Sequence, residues 1–249
     1  MSGMFLTPSL VYLAKEAAGC LGVPAGECDS RVYGLLPSSL VPMTVVIAGL
    51  TSAFLMPVIG AIIDFTPFRR IIGITASIIL FCIQSAQIGT VSSTWFVMLI
   101  LQAFAGVAYD MQNLASTAYF PDIGRKAGED KTTKFQASFS MILFTTEFFY
   151  LLIVVGLGLV LKLDTVTTGQ AAQALSALCV ALALGVGWTL LPHVPALHKK
   201  PDETPLLKAG FSQLWRTAKG INSHYGTTLR WFFLATCFAE AGECFPHLS

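Results

Sequence analysis

The chain has 249 residues, of which 54% are hydrophobic and only 12% are charged, and its formal net charge is +1 at pH 7. Because a soluble domain carries roughly 25% charged residues, this composition excludes an ordinary soluble protein, and the near-zero net charge gives no basis for binding nucleic acid. No charged residue lies between Arg31 and Asp64 or between Arg70 and Asp110, and each run far exceeds the ~20 apolar residues that cross a bilayer as a helix. The predicted fold class is an all-α polytopic membrane protein.

Six apolar segments follow one another along the chain. Met4–Leu13 is too short to cross a bilayer alone, so residues 1–31 are expected to hold the remainder of a first span and a lumenal loop. Five further spans are predicted at residues 40–63, 71–88, 95–119, 135–161 and 171–191, forming a membrane bundle over residues 32–191. A charged loop, "DIGRKAGEDKTTK", is expected between the fourth and fifth spans.

A polar segment, residues 192–230, follows the sixth span and is expected to be a central loop that contains one amphipathic helix. Five residues share one face of that helix: Leu207, Phe211, Leu214, Trp215 and Ala218. The helix is expected either to lie in the membrane interface or to pack on protein as an ordinary loop helix. Residues 231–249 form a last apolar run whose rise of ~22 Å does not cross a bilayer. This run is expected to be a truncated seventh span in a fragment or a shortened gene model.

Basic residues are concentrated in the loops that follow the second, fourth and sixth spans, including Arg70, Lys126 and Lys199. Because short cytosolic loops carry an excess of lysine and arginine, these three loops and the N-terminus are predicted to be cytosolic.

The stretch "PVIGAIIDFTPFRR" closes the second span with Gly60, Asp64, Arg69 and Arg70. One interpretation is that these are charges solvated at a membrane boundary. The other is a gate, in which Gly60 lets two helices approach closely and Asp64 accepts hydrogen bonds from a neighbouring helix. The two arginines would then bind a carboxylate or a lipid phosphate.

This spacing resembles the loop between the second and third spans of the major facilitator superfamily. The stretches "MPVIGAIIDFTPFRR", "GVAYDMQNLASTAYFPDIGR" and "GFSQLWRT" resemble the autophagy-related protein 22 (vacuolar effluxer) family within that superfamily. The resemblance implies a six-helix bundle plus a partial seventh helix, which is the N-terminal half of a secondary active transporter. It implies that the transporter moves amino acids out of the vacuole after autophagic proteolysis, by alternating access, in a vacuolar or lysosomal membrane.

Two alternatives stay open: a facilitator-type carrier of another small solute, such as a sugar or an organic acid, and a truncated membrane protein that does not transport. The predicted partners are a small solute and the lipid bilayer, with protons as an open coupling partner.

Four polar residues inside the predicted spans are candidates for a substrate or proton pathway. Glu147 lies near mid-bilayer, where a carboxylate is costly and by default functional; the alternative is a neutral structural acid. Asp110 and Asn113 lie in the cytosolic half of the fourth span, and Asp110 is expected either to bind solute or to bond to a neighbouring helix. Gln102, which stands where many facilitator proteins carry arginine, is expected to join two helices or to contact solute.

An enzyme is not predicted, because no nucleophile elbow, phosphate-cradling loop or zinc motif occurs. His193 and His198 are interpreted as solvated loop residues rather than metal ligands, and no cofactor is expected.

Overall fold

The computed structural model describes residues 3–23, 30–196, 205, 208–220, 222–223, 226, 231 and 235. Over these residues the chain forms helices and no strand. The helices are α1 (Gly3–Ala17), α2 (Pro37–Phe65), α3 (Arg69–Gln87), α4 (Trp95–Thr117), α5 (Phe120–Ala127), α6 (Glu129–Leu161) and α7 (Thr165–Leu190). Residues 208–220 form a further helix, here called the loop helix. The predicted seventh span lies almost wholly outside the described residues.

Five of these helices are long and apolar enough to cross a membrane, which confirms the all-α polytopic fold class. The candidate spans correspond to α2, α3, α4 with the start of α5, α6 and α7. Their bounds are Pro37–Phe65, Arg69–Gln87, Trp95–Asp122, Asp130–Leu161 and Thr165–Leu190. Each contains most of a span predicted from hydropathy. The helix α1 has 15 residues, a rise of ~22 Å against a hydrocarbon core of ~30 Å.

The prediction of a charged loop between the fourth and fifth spans is wrong. Residues 120–127 form α5, and α6 begins at Glu129, so the helix starts well before the apolar run does. Hydropathy detects only the apolar part of a helix. Charged residues such as Lys131 and Lys134 do not prevent the helix from extending beyond that part into water. Gly128 separates the two helices with a φ of +88°, a backbone conformation that glycine adopts without steric cost.

The bundle is built around α3, which packs against α4 on one side and α7 on the other. In turn, α2 packs on α4, and α1 packs on α7, α2 and α4. The helices α1 and α7 approach each other closely at Gly169, where an added Cβ would lie 2.2 Å from Ser9 Oγ. That hydroxyl donates to the Thr165 carbonyl oxygen at 2.8 Å.

The helix α6 packs against α5 and α7 and leaves most of its apolar side chains exposed. In a membrane, lipid or further helices would cover this apolar surface.

Candidate functional site

Arg69 lies at the start of α3 and is buried, with a side chain that is 2% exposed. Its Nη1 donates to Asp122 Oδ2 at 2.9 Å and to the Ala118 carbonyl oxygen at 3.0 Å. Its guanidinium carbon lies 4.8 Å from the centre of the Tyr119 ring, a distance at which cation–π attraction stabilises the pair. Arg69 is therefore not a solvated boundary charge, since it ties α3 to the C-terminal end of α4 and to the start of α5.

Arg70 points to a different neighbour. Its Nε donates to the Trp188 carbonyl oxygen at 3.1 Å, near the C-terminal end of α7, where unsatisfied carbonyl groups favour a cation. The two adjacent arginines thus connect α3 to two separate helices.

Asp64 connects the end of α2 to the loop helix. Its Oδ2 accepts a hydrogen bond from Gln213 Nε2 at 3.3 Å. The backbones come close one turn earlier, because a Cβ added at Gly210 would lie 2.5 Å from the Pro57 carbonyl oxygen and 2.8 Å from Ala61 Cβ. The loop helix therefore packs on the end of α2.

The loop helix packs on protein, as one of the two expectations has it, and a position in the membrane interface stays a prediction. Ala209 and Gly210 are buried, whereas Phe211, Leu214 and Trp215 are exposed. The helix packs on protein through its small residues and leaves its large apolar side chains available to a membrane interface. Leu207, which was predicted to share this apolar face, lies outside the described residues.

Gly60 does not provide the close helix approach that was predicted for it. A Cβ added there would lie 4.0 Å from Leu114 Cδ2, which is ordinary van der Waals contact, and no other described atom comes nearer. The physical reason is that a leucine side chain, rather than backbone, faces Gly60. Close approach to α2 occurs at Gly210 instead.

Asp110 bonds across to α2. Ser52 Oγ donates to Asp110 Oδ2 at 2.6 Å, and Ser52 is buried. The expected bond from Asp110 to a neighbouring helix is therefore present, and binding of solute by this carboxylate stays a prediction. Over the described residues, no lysine or arginine pairs with it.

A groove of about 340 Å³ lies between α2 and α4, and its lining reaches Thr51 and Val107 but does not include Ser52 or Asp110. Its walls are mainly apolar, with Thr44 and Thr51 as hydroxyl groups. Thr51 directly precedes Ser52, and Val107 on the opposite wall is three residues before Asp110. The pair thus stands next to a groove of the size in which small molecules bind.

Gln102 accepts a hydrogen bond from Gln87 Nε2 at 2.9 Å, which joins α4 to the end of α3. This is the interhelical bond that one interpretation expected, and a solute contact stays a prediction. Asn113 is exposed near the other end of α4.

Glu147 is half-buried in α6. No hydrogen bond or ion pair joins it to another residue of the described ranges, and its role stays a prediction. The structure does not bring it to Asp110, because α6 packs on α5 and α7 whereas Asp110 bonds to α2.

The described residues contain no group of three or more histidine, cysteine or acidic side chains that could hold a metal ion. His198 lies outside them.

Sequence reasoning missed the partners of its own candidates: Ser52, Gln87, Asp122 and Gln213. Asp122 lies in the "PDIGR" stretch that carried the family resemblance, which is a signal that could have singled it out. Ser52, Gln87 and Gln213 carry no sequence signal, because each meets its partner only through the packing of one helix on another.

The chain was compared with models of known protein families. The family described as "Vacuole effluxer Atg22 like" matches residues 5–240. No curated protein and no solved structure matches the chain. The match spans most of the chain and agrees with the multi-pass apolar helices, so the chain belongs to the Atg22-like vacuole effluxer family of membrane transporters.

Proposed function

We propose that the chain forms the first helical bundle of a carrier that exports amino acids from the vacuole, linked to autophagy, by alternating access. Membership of the vacuole effluxer family supports the transport of a small solute across that membrane. The solute would lie between this bundle and a second one, along the groove between α2 and α4.

The observation that carries this proposal is the Ser52–Asp110 pair. A carboxylate within a membrane span is costly and marks a functional site by default. Here its described partner is a neutral hydroxyl at 2.6 Å rather than a cation. The negative charge is therefore available to the ammonium group of an amino acid, and the adjacent groove offers space for an apolar side chain.

The remaining candidates have roles in the same proposal. Glu147 serves as a second site for a substrate amine or a proton, because its carboxyl group lies in a span without a described partner. Asn113 and Gln102 offer polar contacts along α4, on either side of Asp110.

The gate of this proposal is the end of α2 and the start of α3, with Asp64, Arg69 and Arg70. Three polar contacts tie this region to three other segments: Asp64 to the loop helix, Arg69 to Asp122, and Arg70 to the end of α7. Such contacts would hold one side of the carrier shut, and a rocking motion of the bundles would break some of them.

Efflux from liposomes tests the proposal. The purified chain is reconstituted, and release of radiolabelled amino acids, a sugar and an organic acid is followed with and without a pH gradient. Because the proposed route needs two bundles, two copies of the chain would have to assemble in the liposome, and release of amino acids above that from empty liposomes is then expected. Release of only the sugar or the organic acid would establish another facilitator-type carrier. No release of any solute would contradict transport by this chain.

A further inference from the structure

A second groove, of about 310 Å³, runs along the outside of the bundle between α3 and α7. Its walls are Ile74, Ile78 and Phe81 on α3 and Val180, Ala181 and Leu184 on α7. These side chains are apolar, and three of them, Ile78, Phe81 and Ala181, are exposed. The groove is separate from the α2–α4 groove described above, and it shares one contact with the proposed gate, the bond from Arg70 to Trp188.

The shape of this groove is set by Trp188. A Cβ added at Gly73 would lie 1.9 Å from the Trp188 ring, so only glycine at position 73 lets the indole pack this close to α3. Trp188 Nε1 donates to Ser77 Oγ at 2.8 Å, and Ser77 in turn donates to the Gly73 carbonyl oxygen at 2.8 Å. The polar atoms of the groove floor are thus satisfied within the protein, which leaves an apolar channel.

Arg70 stands at one end of this channel and is the charged residue in its lining. The bond from its Nε to the Trp188 carbonyl oxygen fixes the guanidinium group. Its two Nη groups donate to no other residue within the described ranges, and no acidic side chain lines the groove. A fixed guanidinium with free Nη groups matches the geometry of a phosphate.

The length of the channel fits one membrane leaflet. From Arg70 to Phe81 a helix rises ~16 Å, which is about half of the ~30 Å hydrocarbon core. One positive group at the membrane surface and an apolar channel as deep as one leaflet together describe a phospholipid with an anionic headgroup.

We propose that the α3–α7 groove binds one anionic phospholipid from the leaflet on the Arg70 side, with its phosphate on Arg70 and one acyl chain along the channel. A zwitterionic lipid would fill the same channel but would gain less from Arg70, because its own cation offsets the phosphate charge. The bound lipid would cover Trp188 and hold the start of α3 to the end of α7. This inference does not depend on which solute the protein carries.

Native mass spectrometry of the detergent-purified chain tests the proposal. The protein is titrated with phosphatidic acid, with phosphatidylcholine of the same acyl chains, and with glycerol phosphate, which has the headgroup without the tails. Phosphatidic acid is expected to bind most tightly. Arg70→Gln should weaken its binding by roughly fivefold or more, which is the effect of one arginine at an anionic membrane surface. Arg70→Lys keeps the positive charge but loses the paired N–H donors of the guanidinium group, so it should weaken phosphatidic acid binding less than Arg70→Gln does.

Two further variants separate the site from general effects. Arg125→Gln removes an exposed arginine that pairs with Asp122 outside the groove, and it should leave phosphatidic acid binding unchanged. Gly185→Leu adds a side chain where no atom lies within 4 Å of a new Cβ, so it should fill the channel and weaken both lipids without touching Arg70. Equal losses for Arg70→Gln and Arg125→Gln would overturn the proposal. So would equal binding of phosphatidic acid and phosphatidylcholine, or binding of glycerol phosphate as tight as that of phosphatidic acid.

Discussion

Arg69 Nη1 donates to Asp122 Oδ2 at 2.9 Å, so a buried ion pair joins the start of α3 to α5. Asp122 also pairs with the exposed Arg125, whereas the other side-chain nitrogens of Arg69, Nε and Nη2, are buried without a hydrogen-bond partner in the described structure. The two partners are therefore unequal, because the carboxylate pairs with a second cation, whereas no second carboxylate among the described residues pairs with the guanidinium group.

This inequality predicts that Asp122→Asn destabilises the protein more than Arg69→Gln does. Loss of the carboxylate leaves a buried cation uncompensated, which costs about 3–5 kcal/mol. Loss of Arg69 leaves Asp122 with Arg125 and should cost less. Thermal unfolding of the two variants in detergent compares them, with Arg125→Gln as the exposed control at about 0–1 kcal/mol. A larger loss for Arg69→Gln would show that the cation has partners that compensate it.

Gly210→Ala is expected to release the loop helix from α2. The added methyl group would lie 2.5 Å from the Pro57 carbonyl oxygen, and backbone at that distance cannot move aside without separating the two helices. Limited trypsin digestion at Arg216 reports the change as faster cleavage. Gly220→Ala, where an added Cβ meets nothing within 4 Å, is the matched control in the same helix. Equal cleavage rates for both variants would mean that Gly210 does not hold this contact.

Gly73→Ala is expected to disrupt the packing of α3 on α7. The new Cβ would overlap the Trp188 ring at 1.9 Å, and overpacking of this kind typically costs about 1–3 kcal/mol. Thermal unfolding and tryptophan fluorescence measure the loss of stability and the exposure of the indole. Gly185→Ala on α7 faces open space and should change neither reading. Wild-type stability of Gly73→Ala would contradict the close contact.

Asp164 caps the N-terminus of α7, where its side chain accepts bonds from the Val166 and Thr167 backbone N–H groups. The Thr167 hydroxyl and these N–H groups hold the pKa of Asp164 below its ordinary value. Asp164→Ala should cost about 1 kcal/mol at neutral pH. The folded pKa is the lower one, so the cap stabilises the protein above the unfolded pKa of about 3.9, and this stabilisation is lost as the pH falls through the folded pKa.

Unfolding measured from neutral to acidic pH checks this prediction. The stability difference between wild type and Asp164→Ala should shrink only at the acidic end. A difference that stays constant over the whole range would rule out the carboxylate as the source of the stabilisation.

The sequence predicts the membrane spans well, because the length of an apolar run and its distance from charged residues are local properties. It predicts poorly where a helix leaves the membrane, as at Glu129, since helix formation continues in water without a hydropathy signal. Spacing also singled out Asp64 and Arg69 as unusual. It could not show that Asp64 meets Gln213 or that Arg69 meets Asp122, because those contacts join positions 149 and 53 residues apart.

Asp110 illustrates the same limit at the proposed solute site. A lone carboxylate in a span indicates a functional residue, but its bond to Ser52 and the groove beside it depend on how α2 packs on α4. At Gly60 the sequence motif predicts a close helix contact that the structure lacks. The close contact on α2 is made by Gly210 of the loop helix instead.

Binding of a radiolabelled amino acid to the purified chain, compared between Asp110→Asn and Ser52→Ala, tests the proposed solute site most directly. Asparagine keeps a hydrogen-bond acceptor for Ser52 but removes the charge, whereas alanine at position 52 removes the hydrogen bond and keeps the charge. We predict that Asp110→Asn lowers affinity at least roughly tenfold, the scale of a hydrogen bond to a charged group, and that Ser52→Ala retains most of it. Wild-type affinity in Asp110→Asn would contradict a role for this carboxylate in binding the solute amine.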